Sequence, residues 1–108
     1  MKTFQTGEVF SLSNEIQFKP GEAVKKVVID GKEMKMLLVA IEKGELPEHP
    51  APLNALVTVL EGEGVLVYKG KDPVTMREGD SFAFEKGALH SIRAENKLKF
   101  SLLLWKEE

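Results

Sequence analysis

No cysteine occurs among the 108 residues, so disulfides, thiolate metal sites and cysteine nucleophiles are all excluded. Long apolar runs are missing too. The longest, Met36 to Ile41, is far too short to cross a bilayer. The opening MKTFQTGEVF lacks the apolar stretch of a secretion signal. Positive charge is never clustered: its densest spot is Lys25-Lys26, and the net charge is -2. Nucleic acid and anionic membranes both call for a basic patch, so neither is an expected partner. These absences lead to the expectation of a soluble, cytoplasmic protein.

What is present is short segments rich in Val, Leu, Ile, Phe and Thr. Turn signals break them up: Pro20-Gly21, Asp30-Gly31, Gly44 to Pro52, Gly62 to Gly64, Gly70 to Pro73, Gly79-Asp80, Lys86-Gly87 and Glu95-Asn96. No window of useful length keeps a helical period, and this spacing is that of an all-β, antiparallel sandwich or barrel. VVIDGKEMKMLLVAI reads as a hairpin on a type I′ turn at Asp30-Gly31. A length of 108 residues suits one domain, 1–108, with one compact core.

Parity assigns the faces. In HSIRAE, His90, Ile92 and Ala94 share one side of a strand while Ser91, Arg93 and Glu95 take the other. The charged side must meet water, so His90 points inward. MKMLLVAI and FSLLLW carry bulky apolar residues on both sides and therefore have something packed on both sides. Two covers suit the outer side: a second copy in a homodimer, or N-terminal strands folded across it.

Few residues carry chemistry. Ser91 adjoins His90 but lies on the opposite strand face, so the two form no dyad. Gly62-Glu63-Gly64 reads as a tight turn between strands, with Glu61 and Glu63 facing solvent. That leaves His49, in a proline-studded loop, and His90, each at the mouth of a strand.

The pattern Gly44…His49…Val59-Leu60-Glu61-Gly62-Glu63-Gly64, then Gly79-Asp80…Gly87-Ala88-Leu89-His90, resembles the two motifs of the cupin superfamily. These are usually written G(X)5HXH(X)3-4E(X)6G and G(X)5PXG(X)2H(X)3N. In the second, Glu85 replaces the proline, Gly87 and His90 fit, and Ala94 replaces the asparagine. In the first, counting back from Gly62 puts the glutamate position at Ala55 and the histidine pair at His49 and Ala51. The resemblance covers about residues 34–105 and implies an antiparallel jelly-roll β-barrel.

In metal-binding cupins, three histidines and a glutamate commonly hold Fe, Mn, Zn, Ni or Cu. Here the resemblance delivers His49 and His90, with alanine at the other two positions. Two neutral imidazoles neutralise none of an ion's charge, and stable sites recruit three or four protein ligands. The expected function is therefore small-molecule binding inside the barrel, with a weakly held divalent metal at His49 and His90. Glu45, Glu48 and Asn54 are the residues that could swing in to add a ligand. The expected pocket comprises His49, Ala51, Ala55, Val57, Phe82, Phe84, His90, Ile92 and Ala94. The competing expectation is collapse of opposing Leu, Met and Phe side chains into that space, with Met34 and Met36 as gap-fillers. The alternative function is a metal-dependent dioxygenase, isomerase or decarboxylase using His49 and His90.

Overall fold

The computed structural model describes residues 2–106. Six strands form one antiparallel sheet: β1 Ala23–Asp30, β2 Met34–Pro50, β3 Asn54–Tyr68, β4 Val74–Arg77, β5 Ser81–Phe84 and β6 Leu89–Trp105. Their order is β1-β2-β6-β3-β4, with β5 also paired to β3. The only helical element described is a single 3-10 turn, Leu12–Glu15.

Three of these strands are far longer than an ordinary strand: β2 and β6 have 17 residues and β3 has 15. Each bends where the sequence suggested a turn. The ladder between β2 and β6 slips between Glu42 and Gly44, and that between β3 and β6 slips between Gly62 and Val65. Because Glu42 pairs with Lys97 and Gly62 with Leu98, the bends line up across the sheet as one crease. Gly62 to Gly64 is thus no turn between strands; it is a fold line within β3. Gly62 has φ +76°, and a Cβ there would stand 2.0 Å from the Lys97 carbonyl oxygen, so only glycine fits.

The crease doubles the sheet over into two flaps, a jelly roll that folds on itself without joining edge to edge. One flap holds β1, the first half of β2, the second half of β6, the first half of β3, and β5. The other holds the remaining halves and β4. Between them lies the main core, including Val39, Ile41, Val57, Leu66, Ile92, Leu98 and Phe100. The parity reading of HSIRAE holds: His90, Ile92 and Ala94 are buried, whereas Arg93 and Glu95 are exposed.

The outer side of the first flap is covered by the N-terminal segment, although not as strands. Phe4, Leu12, Ile16 and Phe18 pack on Val28, Leu38 and Ala40. A buried lysine fastens this cover. Lys99 Nζ donates to the Ser13 carbonyl at 2.6 Å, lies 4.9 Å from the Phe18 ring centroid and stands 3.7 Å from Glu61 Oε1. Ser13 Oγ donates to the same Glu61 oxygen at 2.6 Å, so Glu61 is a structural anchor and not a free solvent-facing residue. The cover stops short of Leu103 and Trp105, which stay partly exposed, and of Met34, which is 48% exposed.

The hairpin between β1 and β2 forms, but Gly31 N–H donates to the Met34 carbonyl, placing Lys32-Glu33 at its tip. Neither Asp30 nor Gly31 has a positive φ, so the expected I′ turn at that pair is not adopted. Lys43, by contrast, takes φ 51° at the crease. Counting six residues back from His49 in the first motif lands on Lys43, the position the motif gives to glycine.

Candidate functional site

His49 and His90 lie on β2 and β6 and are direct cross-strand partners. Their ring centroids are 4.4 Å apart at an interplanar angle of 58°. The half of β2 that carries His49 has no β1 neighbour, since β1 pairing ends at Ile41. On such an edge Pro47 and Pro50 forfeit no ladder hydrogen bond, which accounts for prolines inside a strand.

Both rings are pinned by their own backbone. His49 Nδ1 lies 2.9 Å from the Pro47 carbonyl oxygen and His90 Nδ1 3.1 Å from that of Ala88. A carbonyl only accepts, so each Nδ1 carries a proton, and in the neutral tautomer the lone pair is then at Nε2. No protein group bonds to either Nε2, and no buried side-chain nitrogen or oxygen is left without a partner among the described residues. The Nε2 atoms therefore open onto free space. Phe84 stacks on His90 with centroids 4.2 Å apart and an angle of 28°. Burial pushes the His90 pKa down, opposed by the Ala88 hydrogen bond, and the neighbouring His49 lowers it further.

Both rings line a cavity of about 170 Å³ between the flaps. His49, Ala51, Pro52 and His90 line one side of it; Leu37, Leu102, Leu104, Ala55 and Phe84, all from the first flap, line the other, with the exposed Lys25 at its rim. Of the expected pocket residues, the structure brings His49, Ala51, Ala55, Phe84 and His90 together here. Val57, Ile92 and Ala94 do not line the cavity; they are buried in the core cluster behind it. Phe82 lines a neighbouring open groove of about 740 Å³ with Tyr68, Lys71, Asp72 and Val74. Tyr68, Phe82 and Phe84 contact one another at 5.2 to 5.6 Å and form the aromatic wall between the two spaces.

The sequence reading missed Leu37, Leu102, Leu104, Lys25 and Pro52. The first three sit in strands with bulky apolar residues on both sides, where parity does not set the direction; Lys25 stood out only as part of the densest basic spot. Met34 and Met36 do not fill the cavity: Met34 is largely exposed and Met36 packs under the N-terminal cover. Glu85, at the motif's proline position, instead forms an ion pair with Lys69, which holds the Glu85 carboxyl below its ordinary range.

A resident catalytic ion does not fit the donor set. No three His, Cys, Asp or Glu side chains gather among the described residues. Ala51 and Ala55 contribute only methyl groups, while Glu45 and Glu48 are exposed. Asn54 Oδ1 is engaged by the Lys86 N–H at 3.0 Å. No helix of the described residues is long and apolar enough to cross a membrane.

A conserved Streptococcus pyogenes protein of unknown function shares the fold at TM-score 0.86 and 20% identity, over 97% of this chain and 92% of that one. A cupin superfamily protein from Desulfitobacterium hafniense matches at TM-score 0.89 and 13% identity, over 98% and 97%. A cupin 2 conserved barrel domain protein from Leptotrichia buccalis is 31% identical at TM-score 0.83, over 90% of this chain and 47% of that one. No curated protein matches the chain. The family model for the cupin domain matches residues 37–105, most of the folded sheet and both histidine strands, and the chain belongs to that family.

Proposed function

We propose that this cupin binds a small organic molecule between its flaps and is not built around a resident metal. One observation carries the reading. A mostly apolar cavity of about 170 Å³ is lined by two imidazoles whose Nε2 atoms have no partner among the described residues, and alanines stand where further metal ligands would be. Cavities of about 150 Å³ hold a single aromatic ring, and an apolar pocket with a few convergent polar groups is the usual form of a ligand site. A divalent ion placed here would have two neutral donors and water, and would bind weakly. The partly exposed apolar strip of Met34, Leu103 and Trp105 suits pairing with a second copy, and the lack of cysteine suits the cytoplasm.

A fragment screen followed by amide NMR tests this. Shifts should cluster at Ala51, Ala55 and His90; a screen in which no fragment perturbs these residues would overturn the reading. The second reading, a metal-dependent dioxygenase, isomerase or decarboxylase, draws on the pinned tautomers, since a backbone carbonyl on Nδ1 is also how metal-binding histidines are oriented. Elemental analysis of protein purified without a metal column separates the two. One tightly held ion per chain favours the enzyme.

A further inference from the structure

The chemistry of the cavity limits what can occupy it, and this step rests on the small-molecule reading above. Each imidazole has its one N–H committed to a carbonyl, so neither has a proton left to donate toward the cavity. What faces the ligand is two lone pairs on rings 4.4 Å apart. Phe84 covers a face of His90, which leaves the edge bearing Nε2 as the approach. The opposite wall is Leu37, Leu102 and Leu104, which offers no polar side-chain group.

We propose that the occupant is a neutral hydrogen-bond donor of about one ring in size, a phenol or a small vicinal diol on an apolar body, with its O–H directed at the Nε2 atoms of His49 and His90. A carboxylate is disfavoured because it is acceptor-only and would face two acceptors. Lys25, the one cationic side chain among the described residues that line the cavity, is exposed at the rim, where water screens it. A hydrocarbon of the same shape would fill the space but leave both lone pairs dry. An unmade hydrogen bond at a desolvated acceptor is costly, and that cost is the source of selectivity.

The test titrates wild-type protein, in the presence of a chelator at pH 7.5, with phenol, isosteric toluene, and benzoate. Amide shifts at Ala51 and Ala55 report occupancy. Phenol should bind about fivefold or more tightly than toluene, the worth of one net hydrogen bond, with benzoate weakest. The double variant His49→Leu with His90→Leu should remove the preference for phenol while keeping toluene binding. Toluene equal to phenol, or benzoate tightest, overturns the donor assignment and leaves the cavity reading intact. Silence from all three ligands at both alanines overturns the cavity reading itself. The ligand series needs no variant, so a substitution that fails to fold does not rescue the proposal.

Discussion

The crease supplies a sharp test of why this sheet doubles over. Gly62 and Gly70 both have left-handed backbone, at φ +76° and +67°, but a Cβ at Gly70 meets nothing within 4 Å. Gly70→Ala therefore pays only the conformational penalty, about 1–2 kcal/mol, partly offset by a stiffer unfolded chain. Gly62→Ala carries the same two effects and one more. Its Cβ would lie 2.0 Å from the Lys97 oxygen and 2.9 Å from the Lys97 carbonyl carbon, both backbone atoms of β6. Relieving that contact requires more than an ångström of movement between β3 and β6. Such movement breaks one or two ladder hydrogen bonds and loosens the packing beneath, a further loss of about 2–3 kcal/mol. Urea unfolding of both variants beside the parent, with m-values compared, measures the difference. Gly62→Ala should be at least about 2 kcal/mol less stable than Gly70→Ala. If the two fall within about 0.5 kcal/mol of each other, the ordinary scatter of independent sites, the crease does not depend on close backbone approach.

Lys43→Gly should raise stability by about 0.5–1 kcal/mol, since it removes a left-handed side-chain residue at φ 51°; thermal unfolding decides, and a lower midpoint counts against the conformational account. Lys99→Met should cost about 1–3 kcal/mol by stranding the Ser13 carbonyl. Hydrogen exchange should then quicken across residues 11–18, and unchanged exchange there would show that Lys99 does not fasten the cover. His90 has a folded pKa below its ordinary 6.5, so the unfolded chain takes up the proton first. Its contribution is whole above 6.5 and is lost as pH drops through that value toward the lower folded one. Urea midpoints should fall between pH 7.5 and pH 5 more steeply in the parent than in His90→Leu; parallel slopes would contradict the burial argument. Ala51→His with Ala55→Glu should convert the cavity into a metal site, read as zinc-dependent thermal stabilisation absent from the parent. No gain would mean these positions do not converge on His49 and His90.

The sequence made the strands legible because charged residues alternate with apolar ones in segments such as HSIRAE, where a single parity choice is forced. The convergence of His49 and His90 was legible through the spacing of the cupin motifs. It was less clear where strands end. Glycines at 62 and 64 and the pair Glu95-Asn96 carry the chemistry of a turn, yet here they bend long strands, because the same backbone freedom serves both purposes. The far wall of the cavity stayed hidden for a related reason. In MKMLLVAI and FSLLLW bulky apolar residues fill both sides, and the one charge, Lys35, shares the parity of Leu37 and so points the reading away from the cavity. Only the assembled sheet shows that Leu37 and Leu102 face the histidines while Leu38 lies under the N-terminal segment.

Because the two imidazoles are neighbours on a single ladder, their separation is gauged by strand pairing and not by a mobile loop. That side of the cleft acts as a fixed jaw. Adjusting the molecule to a bulkier or slimmer guest falls to the three leucines opposite, whose side chains can be trimmed or extended without disturbing how the nitrogens are held.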